Sequence, residues 1–377
     1  MILSWHTSPP QAAKSCRINR IILVAMSRQL RRAHFSELDI NDPFFDSLKH
    51  GYAEFPEWFA RKQAEGAELY CVEDDRTTLT GMIYLKVEDG PVSDTSPVLP
   101  NKKWLKIGTL KIEGRGTKLG ERVIKKILDT AIDEDVDAIY VTVFQIHETL
   151  IDLFSRYGFD HVANKDTANG IEMVLVRDLR AHENDLSRRY PFIHVGTSRV
   201  WLLAVYPEYH TRLLPDSILS NERQEIVKDV SHSNTIHKVY IGKLSLNRMS
   251  PGDIVVIYRT SDGQAPAYYR SVVTSLCVVE EVREKRNFLN FESFRDYVSS
   301  GTVFSEDELR DQWRTSPRLY VAKMTYNVAM GRRTTRGALL DGNIISEQPR
   351  WDLRELTHEQ LRDIADLGRI NERIIVD

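Results

Sequence analysis

Apolar residues recur at nearly helical spacing through Asp42–Glu65, where Phe44, Phe45, Leu48, Tyr52, Phe55, Trp58 and Phe59 share a face. The pattern predicts one helix there, stopped by Gly66. A short strand is predicted before it at Ala33–Leu38. A hairpin is predicted after it from Glu68–Glu73 and Thr80–Val87, then a loop over Pro91–Pro100. Alternation predicts a strand at Trp104–Ile112. A glycine-rich turn at Glu113–Gly116 leads into a helix at Thr117–Glu134. Ala138–Phe144 reads as a buried strand, His147–Tyr157 as a helix closed by Gly158, and Gly170–Val176 as a last strand. The order β-α-β-β-β-α-β-α-β predicts a mixed α/β layer around one sheet.

The second half reads differently. Strands are predicted at Val200–Tyr206, Lys238–Gly242, Asp253–Tyr258, Tyr268–Val282 and Leu319–Tyr326. Helices are predicted at Asn290–Ser299, Ser305–Trp313 and Thr357–Leu367. Ser305 with Glu308, and Thr357 with Gln360, have the spacing of capping boxes. Strands dominate, which predicts a small β-barrel with helical insertions. The resulting division is 1–32 as an N-terminal extension, 33–180, a linker at 181–192, and 193–377.

With 377 residues, 42% apolar and 28% charged, the chain can build a sizeable core. A net charge of −3 excludes a protein that coats nucleic acid by bulk charge, though not a local basic patch. Residues 1–36 hold Lys14, Arg17, Arg20, Arg28, Arg31 and Arg32 with no acid, and Met26 offers a second possible start. Cys16, Cys71 and Cys277 are too few and too scattered for a disulfide framework or zinc ribbon. That fits a reducing cytoplasm. No apolar run reaches the ~18 residues of a bilayer span. Ser231-His232-Ser233-Asn234 with His237 lacks a ligand set, so no metal is expected.

The sharpest chemistry lies in W104-L-K-I-G-T-L-K-I-E-G-R-G-T-K-L-G120. A strand enters a glycine-rich turn, and the helix that follows presents unpaired amides and the positive end of its dipole. That suits a diphosphate, with Arg115 and Lys118 adding charge. Spacing alone is equally met by an ordinary strand–helix turn. No P-loop or dinucleotide fingerprint is present.

This stretch resembles motif A of the GCN5-related N-acetyltransferases, Arg/Gln-x-x-Gly-x-Gly/Ala. Arg115 and Gly120 match, and Lys118 stands at the middle glycine. H147-E-T-L-I-D-L-F-S-R-Y-G-F159 resembles motif B through Leu153, Gly158 and Phe159. The resemblance covers about residues 33–180 and implies that fold with acetyl-CoA as cosubstrate. The implied coenzyme contacts are Lys106, Ile107, Leu110, Lys111, Ile112, Arg115, Gly116, Thr117, Lys118, Leu119, Gly120 and Phe154. Phe154 occupies the position of the family's tyrosine acid and has no proton to give. Glu113 remains as a base or a solvated turn carboxylate. His147 remains as a base, a coenzyme contact or a plain helix-start residue. Tyr157 remains as an acid or a core residue.

In the second half, V200-W-L-L-A-V-Y-P-E-Y-H210, H237-K-V-Y-I-G-K243 and P251-G-D-I-V-V-I-Y-R259 resemble the ASCH domains of the PUA-like superfamily. This implies a compact barrel and RNA or modified nucleobases as partners. The Gly-x-Lys-x-x-Glu-x-Arg motif of some members is missing. Trp201, Tyr206, Lys238, Lys243 and Arg259 are the nucleic-acid-binding candidates, with Tyr209 and His210 beside them; each is equally readable as structural.

Two functions follow as expectations. One is an acetyl-CoA-dependent N-acetyltransferase acting on an amine, with an RNA-binding-like domain for substrate selection or regulation. A pairing of this kind is similar to bacterial stress modules. The other is a catalytically weak acyl-CoA sensor whose second domain binds RNA or modified nucleobases. RNA or tRNA is the macromolecular partner expected. The oligomeric state stays open, a homodimer included.

Overall fold

The computed structural model describes residues 30–74, 77–113, 118–181, 183–214, 235–348 and 350–377. The chain forms two compact units. One comprises the chain up to Tyr84 together with Thr109–Gly116; the other comprises Leu85–Gly108 and Thr117–Asp377.

In the first unit, β1 (Leu30–His34) pairs antiparallel with β2 (Glu68–Glu73), and β2 with the start of β3 (Leu79–Val92). Strand β1 thus starts before Ala33. The residues after it, Phe35–Glu37, form a 3-10 turn instead of continuing the strand. The single helix predicted at Asp42–Glu65 is divided. A 3-10 turn at Pro43–Phe45 is capped by Asp42, whose carboxylate accepts from the Phe44 amide at 2.8 Å. Then come α1 (Asp46–Gly51) and α2 (Phe55–Ala64). Pro56 explains the break: inside a helix it would remove a hydrogen bond and clash with the preceding turn, whereas in the first turn of α2 it does neither. The core is aromatic. Phe35 meets Phe59 edge-on at 5.3 Å and Tyr84 at 5.5 Å.

The second unit takes up β3 and β4 (Leu99–Ile112) where they leave the first. It continues through α3 (Leu119–Asp133), β5 (Ala138–Val143), α4 (Glu148–Arg156), β6 (Asp160–Thr167) and β7 (Gly170–Asp178). Strand β4 pairs parallel with β5 from Trp104↔Ala138 to Ile107↔Val141. Strand β7 pairs antiparallel with both β5 and β6. The long loop predicted at Pro91–Pro100 is shorter, because β3 and β4 both extend into it. Helix α3 buries Leu119, Val123, Ile127 and Leu128, as its periodicity predicts. Gly158 takes the left-handed conformation after α4, and a Cβ there would meet the Arg188 carbonyl oxygen at 2.9 Å.

Short elements follow: α5 (Leu186–Arg189), β8 (Ile193–His194), β9 (Val200–Val205) and α6 (Pro207–Leu213). Next come β10 (His237–Gly242), β11 (Ile254–Arg259), α7 (Ala267–Arg270) and β12 (Val272–Glu284). The chain ends through α8 (Phe291–Val298), α9 (Glu306–Thr315), β13 (Tyr320–Thr335), α10 (Arg336–Asp341), β14 (Leu353–Leu356), α11 (His358–Leu367) and β15 (Ile375–Val376). Both capping boxes form, at Ser305–Glu308 and Thr357–Gln360.

The expected barrel is corrected. Among the described residues six strands form a sheet in the order β10-β13-β12-β11-β9-β14, with β10 and β14 at opposite edges and no closed ring. Bulges at Val273/Ser275, Leu276/Cys277 and Val279/Glu281 interrupt the β12–β13 ladder without joining those edges. One face packs Val256, Val273 and Leu276 against Leu361 and Ile364 of α11. The other packs Trp201, Leu203 and Ile257 with Leu213 of α6.

Candidate functional site

Of the coenzyme contacts implied by motif A, Arg115, Gly116 and Thr117 lie outside the described residues. On the approach in the second unit, Ile107 is buried and Lys106 half-buried. On the departure, Lys118 is the residue before α3 and takes a left-handed φ of 54°. The family's middle glycine adopts that region freely, whereas Lys118 does so against its own Cβ. Leu119 is buried. Gly120 is a packing glycine, since a Cβ on it would meet Leu153 Cδ2 at 2.9 Å. The Glu121 Oε2 atom is buried with no hydrogen-bond partner. Phe154 is fully buried, edge-on to Phe159 at 4.8 Å, which makes it a core residue.

In the first unit, Leu110 and Ile112 are half-buried on the end of β4. Lys111 turns inward: its ammonium donates to the Phe44 carbonyl and to Ser47 Oγ at 2.6 Å, and lies 2.8 Å from Glu113 Oε1. Glu113 is half exposed, and its amide donates to the Thr80 carbonyl at 2.7 Å. Its carboxylate therefore reaches solvent while held by Lys111. His147 is exposed ahead of α4, and its side chain caps nothing.

Around Lys106 the structure gathers charge that no sequence motif marked. Tyr140 donates to Glu88 Oε2 at 2.6 Å, Lys86 bonds Glu88 at 2.9 Å, and Lys165 bonds Asp94 at 2.5 Å. The Lys106 ammonium lies 5.5 Å from the Tyr140 ring centre. Burial pushes Lys106 below the usual lysine range; Glu88 and Asp94 oppose that and Lys165 adds to it. Burial would raise Glu88, but donation from Tyr140 and Lys86 outweighs it and the carboxyl falls. These residues come from four strands and the turn after β3, so only the folded register joins them.

Tyr157 is fully buried. Its hydroxyl lies 3.0 Å from His237 Nε2, and His237 Nδ1 lies 2.8 Å from Glu280 Oε1. The bulge at Val279/Glu281 falls at Glu280. Burial pulls His237 down, but the bond to Glu280 outweighs it and the imidazole rises above its ordinary value. Glu121 also raises it and Lys118 lowers it. Burial raises the Tyr157 hydroxyl. Fully buried Arg177 clamps the same corner, donating to the Tyr157 carbonyl at 2.5 Å and to the Tyr190 carbonyl. Its burial lowers it to about 9.

In the second sheet, three of the nucleic-acid candidates are buried. Trp201 is fully enclosed, donating to Asp253 Oδ2 at 2.9 Å beneath Arg248 and Arg199. Lys238 is 6% exposed, with its ammonium 5.8 Å from the Tyr326 ring centre. Arg259 is 8% exposed. Alternating aromatic and basic residues on these strands record packing. Tyr206, at 68% exposure, and Lys243 do face solvent. His210 is fully buried, its Nε2 2.8 Å from Thr274 Oγ1, and its Nδ1 has no partner. Burial lowers it to about 3, with Arg259 and Arg333 contributing.

Among the described residues, no group of His, Cys, Asp or Glu is arranged to hold a metal, and no helix is long and apolar enough to cross a membrane. Ser231–Asn234 lie outside those residues.

No family model and no curated protein matches the chain. Solved structures similar to parts of it include ASCH from Zymomonas mobilis, at 13% identity and TM-score 0.32, covering 45% of this chain and 94% of that one. Another, assigned as a phosphinothricin N-acetyltransferase, is 18% identical at TM-score 0.31 over 40% of this chain and 98% of that one. A third, the NatC complex bound to Gag peptide and CoA, is 17% identical at TM-score 0.29 over 40% and 98%. At these scores none bears on chemistry, which rests on this chain's own residues.

Proposed function

We propose that this chain is an acetyl-CoA-dependent N-acetyltransferase whose second sheet forms an RNA-binding-like domain for substrate selection or regulation. The carrying observation is local. Strand β4 leads into Arg115-x-x-Lys118-x-Gly120, and the 15-residue helix α3 starts at the far side of that turn. The first amides of a helix and a flanking ammonium are the donor set a diphosphate needs, so the chain's residues fit that group. In this reading Arg115, Gly116, Thr117 and Lys118 hold the diphosphate, and the backbone of Lys106–Ile112 holds the arm attached to it. Acetyl-CoA supplies an activated acetyl carbonyl. Glu113, half exposed, takes the proton of the attacking amine directly or through water, and solvent protonates the leaving thiolate. His147 is the alternative proton acceptor.

The sensor reading has its own support. Phe154 has no acidic proton, and the Tyr157 hydroxyl is committed to His237. Calorimetry with acetyl-CoA, followed by thiol release with amine and RNA acceptors, separates the two. Turnover supports the transferase; binding without thiol release supports the sensor. Gly116→Glu is the clean site variant and is expected to abolish binding, because it places a bulky anion at the diphosphate. Unchanged affinity in the folded variant would overturn the assignment. Gly120→Glu is less clean, since Leu153 already occupies that space.

A further inference from the structure

The proposed transfer uses the backbone of Lys106 and not its side chain. Lys106 pairs with Tyr140 in the β4–β5 ladder, which ends one residue later at Ile107↔Val141. Trp104, two residues earlier and so on the same face of β4, is fully buried and meets the Tyr140 ring edge-on at 5.8 Å. The half-buried Lys106 ammonium stands 5.5 Å from the Tyr140 ring centre. Glu88 and Lys86 of β3, Asp94 after it, and Lys165 of β6 act on it electrostatically. No hydrogen bond or ion pair among the described residues holds its nitrogen. Both oxygens of Glu88 are taken, one by Tyr140 and one by Lys86, and Asp94 is bonded to Lys165. Three lysines thus face two carboxylates, and the two bonded pairs leave Lys106 holding the surplus charge.

A half-buried ammonium with no bonded partner has given up water for little return, and burial pushes Lys106 below the usual lysine range. A larger share of it is then the neutral amine, the form that attacks a carbonyl carbon. The coenzyme reading of β4 brings that carbonyl. With the diphosphate at the turn, the arm of acetyl-CoA runs back along Lys106–Ile112. Lys106 is the end of that span farthest from the turn, so the thioester comes to it. We propose that Lys106 is a self-acetylation site that takes one acetyl group from bound acetyl-CoA. This rests on the coenzyme reading and adds an acceptor within the chain itself. The ammonium first releases a proton to solvent. The Lys106 Nζ lone pair then attacks the acetyl carbonyl carbon, an amide C–N bond forms, and the thioester C–S bond breaks. The electron pair leaves with sulfur, and the surplus proton on nitrogen passes to it through water, giving the free thiol. The acetylated side chain is neutral, so burial no longer opposes it. The Lys86–Glu88 and Lys165–Asp94 pairs are then left in balance.

The test uses the full chain, and its first readout needs no variant. Native protein is incubated with acetyl-CoA or, separately, with a limiting amount of N-hydroxysuccinimidyl acetate, an ester that acylates amines without a coenzyme site. Acetylated peptides are followed by mass spectrometry, with exposed Lys243 as the internal comparison. Both reagents should acetylate Lys106 several-fold faster than Lys243. Lys165→Gln removes a cation that disfavours the ammonium and should slow labelling of Lys106 by either reagent; Asp94→Asn should speed it. Gly116→Glu should abolish labelling by acetyl-CoA and leave labelling by the ester intact. A preference for Lys106 with acetyl-CoA that Gly116→Glu removes supports the proposal. Acetyl-CoA labelling that treats Lys106 and Lys243 alike, or that survives Gly116→Glu unchanged, overturns it. If the ester favours Lys106 and acetyl-CoA does not, the amine is reactive but receives no acetyl group, and the proposal falls. Calorimetry then separates the two failures: acetyl-CoA that binds leaves the coenzyme reading standing, and acetyl-CoA that does not bind takes that reading down as well.

Discussion

His210 is fully buried and His237 half-buried, both in the second unit, and desolvation pulls both toward the neutral form. Their ionisation nevertheless moves in opposite directions. His210 faces a threonine hydroxyl and two arginines, so nothing offsets desolvation and it falls to about 3. His237 lies between the Tyr157 hydroxyl and the Glu280 carboxylate, and that carboxylate reverses the sign. Depth alone does not set the charge of a buried group; the partner across the hydrogen bond does. The first imidazole stays neutral beside two arginines, whereas a carboxylate favours the charged form of the second.

The largest expected effect comes from His210. Its folded value lies below the unfolded value of 6.5, so the unfolded chain takes up the proton first as pH falls. Stability is lost progressively from pH 6.5 downward until the folded value near 3 is reached. Each unit corresponds to about 1.4 kcal/mol, so the loss by about pH 4.5 is on the order of 3 kcal/mol. Urea unfolding of native protein and His210→Gln at these two pH values measures it. Equal acid losses in the two proteins would show that the buried imidazole is not the group responsible.

That contrast was only half legible in the sequence. His210 stands in an evident strand–helix segment and could be singled out, but its depth could not. Alternating aromatics and cations look alike whether a strand faces solvent or a packed layer, which is why Trp201, Lys238 and Arg259 read as ligand-facing. His237 carried no signal, because its partners lie 80 residues before it and 43 after it in the chain. Local signals fared better. The caps at Ser305 and Thr357 and the apolar face of α3 depend on residues within a turn or two of one another. Strand β6 escaped because its sequence, DHVANKDT, is polar and largely exposed, and only pairing with β7 makes it a strand. The open order of the second sheet escaped for the same reason: strand pairing is a long-range property.

A smaller effect is expected when Glu280→Gln removes the group that sets His237 apart. The folded value of His237 is raised, so the stability it contributes is fully present below pH 6.5 and is lost as pH rises through the folded value. The variant should therefore cost about 1.5 kcal/mol near pH 6, in keeping with a hydrogen bond to a charged group, and the gap should close at alkaline pH. NMR titration should find the His237 midpoint below its ordinary value, as burial takes over. A midpoint that does not move would mean that the Glu280 bond is not what raises the native residue.

The smallest effect belongs to Lys118, which joins the comparison to the proposed coenzyme turn. Its ammonium lowers His237, so Lys118→Gly and Lys118→Ala should both raise the His237 midpoint slightly and equally. Their stabilities should differ. Glycine relieves the left-handed φ of 54°, worth about 1 kcal/mol, but its freer unfolded chain offsets part of that and leaves about 0.5 kcal/mol net. Alanine keeps the strain and should gain nothing. Equal melting midpoints for the two variants would show that the chain does not hold Lys118 in that conformation, and that the turn before α3 relaxes to suit whichever residue stands there.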